Sequence, residues 1–313
     1  MSVICLGELL IDFVALQTGV EVGEAYGFKK APGGAPANVA VAAARLGHKS
    51  GFLGQVGDDP FGHFLSDVLK KAKVDVRGLR FSTEARTPLA FVSLRSDGER
   101  SFVFYRHPSA DMLLRPGELP LNIIDDYKVF HFGSITLIHE PVRSATLEAV
   151  QYAQNRGLMI SYDPNLRLAL WDSQDDARAG MLAGFAYANL VKISEEELEF
   201  LTGGHDVKPL WHEQLQLIVI THGAGGATLY TKDGSKTHAA GYSVKAVDTT
   251  GAGDAFVAGL LDGILKHGEA YPQHLPEILR FANAVGAITT TKRGAIPALP
   301  RRKQVNALMK STN

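Results

Sequence analysis

The chain has 313 residues, 45% hydrophobic and 21% charged, which supports a full-sized core and excludes a disordered protein. Its 32 basic and 33 acidic residues nearly cancel, so the composition gives no electrostatic footprint for nucleic acid or an anionic membrane. No apolar run approaches the ~20 residues that span a bilayer, the N-terminus has no signal-peptide pattern, and the single cysteine, Cys5, cannot form an internal disulfide. We therefore expect a cytoplasmic protein.

Along the chain, short apolar runs alternate with helical patterns. The runs that predict buried strands are 3–6, 128–132, 158–162, 190–193 and 217–220. The helical patterns lie at 37–46, 61–72, 142–156, 195–201, 254–266 and 276–289. Strands that are apolar throughout are typical of a parallel sheet covered on both faces, so this alternation predicts an α/β fold with right-handed crossovers.

One region interrupts the alternation. Residues 87–106 contain two strand-like runs joined by a turn at Asp97-Gly98, which predicts a β-hairpin. A small sheet over the strand ends would suit it, and residues 13–30 could add strands to that sheet. A second hairpin is predicted at 227–239. Without a repeat or a low-complexity linker, we expect a single domain, 1–313, with a lid formed by inserted segments at about 13–30 and 87–106.

The stretch "AVDTTGAGDAFVAG", 246–259, carries the strongest chemical signal. Its glycine turn, Gly251 to Gly253, precedes a helical apolar pattern, so unpaired N–H groups and the helix dipole there would favour an anion. Asp254 at the helix start could take a proton from a hydroxyl, and an anion hole beside a base suits phosphoryl transfer to an alcohol. A plain helix cap after a glycine turn explains the same residues equally well.

Three further stretches have a structural and a functional interpretation. Gly33 and Gly34 precede an alanine-rich helix that begins near Asn38, which could cap the helix or bind a hydroxyl. Asp163, Asn165 and Arg167 follow a strand directly, where open α/β sheets bind ligands, although an Asp-Pro turn accounts for the pattern too.

The third of these stretches, "VITHGAGGATLY" at 219–230, could contact a nucleotide or form an ordinary glycine-rich turn. It is not a Walker A motif, and a strand rather than a helix follows its glycines. The 11 histidines show no metal-binding spacing, and no Gly-x-Ser-x-Gly elbow is present. Glu195 to Glu197 read as a solvated helix start, yet they follow a strand, so one of these acids could face the ligand end of the sheet.

Taken together, "DTTGAGDAF" (248–256) and "GGAPANVAVAAARLG" (33–47) resemble the two signatures of the ribokinase-like (PfkB) family of carbohydrate kinases. The resemblance covers about residues 3–297, and it is greatest to the fructokinases of that family. It implies a three-layer α/β/α domain with a mainly parallel central sheet and a small β-sheet lid. The activity it implies is ATP-dependent phosphorylation of D-fructose to D-fructose 6-phosphate, with Mg²⁺.

The resemblance also implies roles residue by residue. Asp254 matches the catalytic base, and Gly251, Ala252 and Gly253 match the anion hole. Positions that match sugar-binding or substrate-side residues are Asp12, Gly33, Gly34, Asn38, Arg106 and Asn165. Positions that match nucleotide-side contacts are Lys192, Ser194, Thr221, Gly223, Gly226 and Asn283.

Two metal positions follow from the same resemblance. Glu197 matches an acid that holds Mg²⁺ through water, although Ser194 stands where the family motif has asparagine. Many relatives also bind K⁺ beside the anion hole, mainly through backbone carbonyls. The matching positions are Asp248, Thr250, Thr289, Lys292 and Gly294, with Ala298 where ribokinases carry a serine.

Three alternatives remain at this level. The acceptor could be 2-keto-3-deoxygluconate, ribose or a nucleoside, because the motifs do not identify the sugar. A sensor that binds sugar or nucleotide without catalysis would not need Asp254. A dinucleotide oxidoreductase is disfavoured because Gly7 to Leu10 follow the first strand without a G-x-G-x-x-G pattern. Sugar and ATP are the expected partners, and the edges of an exposed lid sheet could pair in a homodimer.

Overall fold

The computed structural model describes residues 2–94 and 100–311. The strands are β1 Ser2–Leu6, β2 Leu10–Thr18, β3 Phe28–Gly33, β4 Lys49–Gly57, β5 Val74–Ser82, β6 Leu89–Leu94, β7 Arg100–Tyr105, β8 Val129–Gly133, β9 Met159–Asp163, β10 Leu190–Ser194, β11 Leu217–Thr221, β12 Ala227–Thr231 and β13 Lys236–Ala239. The helices are α1 Ala35–Arg45, α2 Pro60–Lys71, α3 Val142–Asn155, α4 Gln174–Phe185, α5 Glu195–Thr202, α6 Ala252–His267, α7 Leu275–Thr289, α8 Ala295–Ala298 and α9 Arg302–Ser311. Across these ranges no helix combines the length and the apolarity that a membrane crossing requires.

A nine-stranded sheet forms the centre of the fold, in the order β13-β12-β11-β10-β9-β8-β1-β4-β5. Its strands pair in parallel from β11 to β5. Strands β12 and β13 form the predicted hairpin, in which β12 pairs antiparallel with β11 and β13 antiparallel with β12. Alternate residues of β1 enter opposite cores, Val3 and Cys5 on one face and Ile4 and Leu6 on the other. Helices α1, α2, α6 and α7 cover the first face and α3, α4 and α5 the second, so the predicted three-layer α/β/α arrangement is confirmed.

Some elements of the central domain carry no clear pattern in the sequence. All five predicted core strands and all six predicted helices form, with ends shifted by a few residues. Strands β4 and β5 complete the sheet beyond β1 but were not predicted. Strand β4 contains three glycines. A side chain at Gly51 would collide with Tyr127, and one at Gly54 would collide with the Gly7 backbone. Glycine therefore stands in β4 where an apolar side chain would have marked a buried strand. Helices α4 and α9 were also not predicted.

A separate four-stranded sheet has the order β3-β2-β6-β7. Its antiparallel pair β6–β7 confirms the hairpin predicted within 87–106, and the predicted Asp97-Gly98 turn lies outside the described residues. The segment around 13–30 supplies β2 and β3, as expected, with β2 starting at Leu10 and β3 ending at Gly33. Phe13 and Phe91 stack at 5.1 Å between ring centroids and join β2 to β6. Strand β2 follows the C-terminal end of β1, and β3 leads into the start of α1. The small sheet therefore lies beside the polar residues at the ends of the parallel strands.

Candidate active site

The glycine turn of the 246–259 stretch forms the N-terminus of α6. Gly251 is the N-cap residue, with φ +76°, a left-handed conformation that glycine adopts without strain. The Ala252 amide donates to Thr249 O at 3.2 Å, and the other amides of the first turn have no partner within α6, so a negative group there would be stabilised by them and by the helix dipole. The glycine turn lies at the helix N-terminus as predicted, and the helix begins at Ala252, two residues earlier than the sequence pattern indicated.

Asp254 lies in the first turn of α6 and is buried. Burial raises its pKa to about 6, while a hydrogen bond from Asn38 acts in the opposite direction. The Asn38 Nδ2 group donates to Asp254 Oδ2 at 2.7 Å. An ordinary exposed helix cap would have neither this burial nor this partner, so the carboxylate is held in one orientation with a pKa close to neutral.

A cavity of about 300 Å³ borders residues 246–250, the loop that precedes α6. Two others meet at the glycine turn, Gly251 to Gly253. The larger, of about 540 Å³, is bounded by the loop after β11, the segment 241–246 and one side of α7. The smaller, of about 200 Å³, lies between β2, the start of α1 and strand β7 of the four-stranded sheet, and Asp254 opens into it. Thr249 and Gly253 line both cavities. Groups bound on the two sides would therefore meet at the helix N-terminus, beside the carboxylate.

The smaller cavity collects the substrate-side residues named from the sequence. Those that line it are Asp12, Gly34, Asn38 and Asn165, with Gly251, Gly253 and Asp254. Gly33 packs against the Asp12 carboxylate, and Gly34 has φ +111° against the Glu8 carbonyl, so a side chain at either position would collide with its neighbour. Asn38 Oδ1 is buried without a hydrogen-bond partner in the described chain, which leaves an acceptor for a ligand hydroxyl.

A buried ion pair lies at the ends of β9 and β10. Lys192 Nζ donates to Asp163 Oδ2 at 3.1 Å, and both side chains are buried. Burial disfavours the Lys192 ammonium, but Asp163 and Glu197 outweigh that effect and raise its pKa. A β-carbon added at Gly253 would lie 3.1 Å from this ammonium. A permanent positive charge therefore adjoins the glycine turn, where it would favour an anion.

Glu197 and Ser194 form a capping box at the start of α5. Ser194 N donates to Glu197 Oε2 at 2.8 Å, and Glu197 N donates to the Ser194 hydroxyl at 3.2 Å. The other Glu197 oxygen accepts from Leu166 N at 2.7 Å, which ties the loop after β9 to α5. In that loop Asn165 has φ +51° and accepts from Arg167 at 2.8 Å. Ser194, which stands where the family motif has asparagine, is therefore the N-cap residue of α5.

Arg106 occupies a different place from the other substrate-side residues. It is buried, and its guanidinium donates twice to Asp111 Oδ2, at 2.8 and 2.6 Å. It is not among the residues that line either cavity at α6. In the described structure Arg106 joins the end of β7 to the segment that follows, and Asp111 was not predicted as its partner.

Of the six nucleotide-side residues named from the sequence, Lys192 lines the smaller cavity, Ser194 lines neither, and the other four come together in the larger cavity. Thr221, Gly223, Gly226 and Asn283 all line it. Gly226 has φ +97°, and a side chain there would collide with the Ala239 carbonyl. Asn283 Nδ2 donates to the carbonyls of Ala239 and Ala240, at 2.8 and 3.1 Å, so α7 is fastened to the cavity wall.

Three of the residues that match the potassium site, Asp248, Thr250 and Gly294, are joined by hydrogen bonds. Asp248 Oδ1 accepts from the Thr250 amide and hydroxyl, and Asp248 Oδ2 accepts from Gly294 N at 2.8 Å. This fastens the loop before α6 to the loop after α7. Thr289 is fully buried, with its hydroxyl bonded to Val285 O at 2.9 Å, and Lys292 is exposed.

The structure adds residues that the sequence analysis did not place in the site. Glu8 lines the smaller cavity and accepts from Ala35 N at 2.6 Å, and burial raises its pKa to about 7. Phe102 and Phe104, from β7, line the same cavity. Arg167, which the sequence analysis had already named at the ligand end of the sheet, lines it too. The position of Glu8 directly after a buried strand was the available signal. The sequence of β7 contains no pattern that marks Phe102 and Phe104 as residues that line a cavity.

Comparison with known proteins agrees with the resemblance stated above. Residues 1–302 match the pfkB family of carbohydrate kinases, and the chain belongs to that family. It is an ATP-dependent sugar kinase.

Among its relatives, the chain is 52% identical to probable fructokinase-4 of Arabidopsis thaliana, over 98% of this chain and 96% of that protein. Two solved structures are similar over almost their whole length. Fructokinase from Xylella fastidiosa with bound ATP has a TM-score of 0.92 and 35% identity, covering 99% of this chain and 98% of that one. A double mutant of Vibrio cholerae fructokinase with fructose, ADP and potassium ion has a TM-score of 0.86 and 37% identity, covering 98% and 97%.

Proposed function

We propose that the protein transfers the γ-phosphoryl group of ATP to the 6-hydroxyl of D-fructose. The observation that carries this proposal is the junction of two cavities at one glycine turn, with the buried Asp254 carboxylate on the side of the smaller cavity. The larger cavity, of about 540 Å³, suits a nucleotide, and the smaller, of about 200 Å³, suits a monosaccharide. The fructokinase names of the relatives support fructose as the acceptor.

In this proposal Asp254 is the general base. Its oxygen accepts the proton of the sugar hydroxyl as that oxygen bonds to the γ-phosphorus, while the bond from phosphorus to the leaving oxygen of ADP breaks. The hydrogen bond from Asn38 leaves Oδ1 of Asp254 available for the proton. With a pKa of about 6 the carboxylate is mostly ionised at neutral pH and is also basic enough to accept the proton.

Negative charge on the transferring group would be stabilised by the residues at the end of α6. The amides of Gly251, Ala252 and Gly253 supply fixed dipoles, and Lys192 supplies a cation on the same side. These groups are oriented before substrate binds, because Asp163 holds Lys192 and Gly251 fixes the turn. Transition-state stabilisation then requires little rearrangement of the site.

We propose that Mg²⁺ and K⁺ both bind oxygen atoms that are already held in place in the folded chain. Each Glu197 oxygen accepts one backbone hydrogen and retains a lone pair, so Glu197 could hold the water shell of Mg²⁺, which would neutralise phosphate charge. Potassium would bind between the loops that Asp248 joins, through backbone carbonyls at Asp248, Thr250, Thr289, Lys292 and Gly294. Bound there, K⁺ would help to fix the backbone of the anion hole.

The domain organisation follows the same proposal. The chain would be one ribokinase-like domain whose four-stranded sheet is the lid over the sugar cavity. Phe102 and Phe104 of β7 line that cavity, so the lid would exclude water from the acceptor and limit hydrolysis of ATP. Pairing of two lids in a homodimer and a cytoplasmic location remain part of this proposal.

The test is ADP formation with D-fructose, glucose, ribose, 2-keto-3-deoxygluconate and adenosine, in Mg²⁺, with and without K⁺. We expect turnover to be fastest on D-fructose. Asp254→Asn should abolish turnover while ATP still binds, and Asp67→Asn, an exposed acid on α2, should behave as the wild type. Near-normal turnover in Asp254→Asn would refute the mechanism, and faster turnover on another acceptor would refute fructose as the substrate.

A further inference from the structure

A cluster of potential metal ligands lies where α6 ends and α7 begins. His267, in the last turn of α6, and His274 and Glu277, at the start of α7, each offer one ligand atom, and these atoms lie within 4.8 Å of one another. In the part of the chain that is described, no other group of three histidine, cysteine or acidic residues is this close. We propose that these three side chains form a site for a divalent transition metal of the zinc class.

The donor atoms are close to the spacing that such an ion needs. Glu277 Oε1 lies 3.7 Å from His267 Nε2, and Glu277 Oε2 lies 3.8 Å from His274 Nδ1. Bonds of about 2.0–2.2 Å in tetrahedral geometry separate the donors by roughly 3.3 Å. The two histidine–glutamate separations would therefore each contract by about half an ångström, and the two histidine nitrogens, within 4.8 Å of each other, would approach as the His274 ring turns. Two imidazoles and one carboxylate suit Zn²⁺, Co²⁺ or Ni²⁺ better than Mg²⁺ or Ca²⁺, which prefer oxygen ligands.

His267 is the anchor of the cluster. Its side chain is only 13% exposed, and its Nε2 atom is buried with no hydrogen-bond partner in the described structure. The 3.7 Å separation from Glu277 is too long for a hydrogen bond. A buried ring nitrogen without a partner loses the hydrogen bond it would make in water, and a metal ion would occupy that lone pair. The C-terminal end of the α6 dipole also favours a cation at this position.

Metal binding requires two local rearrangements, and both involve exposed side chains. The two imidazole rings stack with centroids 3.8 Å apart and an angle of 16°, and one ion cannot lie in both planes while the rings are parallel. His274, 39% exposed, must turn about its Cβ–Cγ bond, a torsion with broad preferences. Lys266, which donates to Glu277 Oε1 at 2.8 Å, must be displaced, and exposed ion pairs of this kind contribute little.

The site would join the two helices that carry the catalytic and nucleotide-side residues, without taking part in the reaction. His267 is 13 residues after Asp254 on α6, a distance of roughly 20 Å along the helix. Asn283 lies on α7 beyond Glu277. We therefore expect the metal to stabilise the α6–α7 pair and to raise the melting temperature, because it binds the folded chain.

The test uses the full-length protein, treated with a chelator and kept in excess Mg²⁺ and K⁺. Zn²⁺ binding is measured by calorimetry, Co²⁺ binding by visible absorption, and stability by thermal melting. The variants are His274→Gln and Glu277→Gln, both at exposed side chains, with His267→Gln as a third. His205→Ala, at an exposed histidine on a distant loop, is the matched control.

We expect one equivalent of Zn²⁺ to bind the wild type and His205→Ala and to raise the melting temperature of both. Each ligand variant should bind at least about tenfold more weakly and lose that rise in melting temperature. Metal-free melting curves show whether each variant folds. The proposal is overturned if the wild type shows no saturable Zn²⁺ binding, or if folded ligand variants bind as tightly as His205→Ala.

Discussion

The hydrogen bond between Asn38 and Asp254 makes the pH dependence of catalysis predictable. Asp254 acts as a base only when ionised, and burial raises its pKa to about 6. We expect kcat/KM of the wild type to be level above pH 7 and to fall about tenfold per pH unit well below pH 6. Asn38→Leu keeps the approximate shape of the side chain and removes the Nδ2 donor that lies 2.7 Å from Asp254 Oδ2.

The size of the effect follows from the charge on the acceptor. A hydrogen bond to a charged group contributes about 1.5–3 kcal/mol, and one pKa unit corresponds to about 1.4 kcal/mol. Because Asn38 stabilises the ionised form, its removal should raise the pKa of Asp254 by about 1–2 units. The acid limb of kcat/KM should then move to between about pH 7 and 8, so the loss of activity at neutral pH should exceed the loss in alkaline buffer, where only the ligand-facing Oδ1 of Asn38 is missing.

The assay must separate this effect from two others. Initial rates are measured by direct detection of ADP in buffers of constant ionic strength, because coupling enzymes have pH profiles of their own. Glu8 lines the same cavity and has a pKa raised to about 7 by burial, so Glu8→Gln serves as the comparison. If the limb disappears in Glu8→Gln, or if Asn38→Leu lowers kcat/KM equally at every pH, the assignment of the limb to Asp254 is wrong.

Three further predictions concern residues around the site, Gly251, Asn283 and Asp248. Gly251→Ala should lose about 1–2 kcal/mol of stability from its left-handed backbone and most of kcat, because its β-carbon would lie 2.7 Å from Ala295 Cβ. Urea unfolding and kcat should distinguish it from Gly234→Ala, which has φ +87° and open space and should lose stability only. Asn283→Ala removes the donor to two carbonyls, so the dissociation constant of ATP should rise more than the KM for sugar. The control, Asn155→Ala at an exposed position, should change neither constant. An unchanged ATP affinity would contradict the role given to Asn283. Asp248→Asn leaves one acceptor oxygen, which cannot accept hydrogen bonds from both Thr250 and Gly294. Stimulation of kcat by KCl should therefore diminish. An unchanged response to KCl would show that Asp248 does not support potassium binding.

Local residue patterns were enough to predict the class of fold and the centre of the chemistry. Apolar strands that alternate with helices can bury both faces only as a covered parallel sheet, so the three-layer arrangement was readable from composition and period. The glycine turn before an apolar helix likewise placed Asp254 in the first turn of α6. These are local properties of the backbone, and local residues decide them.

How these local elements combine depends on contacts between distant parts of the chain. Asn38 and Asp254 are 216 positions apart in the chain and meet because α1 and α6 pack together in the same core on one face of the sheet. The same convergence buries Asp254, raises its pKa and places the Lys192–Asp163 pair beside Gly253. Strands β4 and β5 were missed for a related reason, since their glycines are explained by neighbours such as Tyr127 that come from distant segments. Long-range packing sets burial and charge, and no local pattern of residues contains that information.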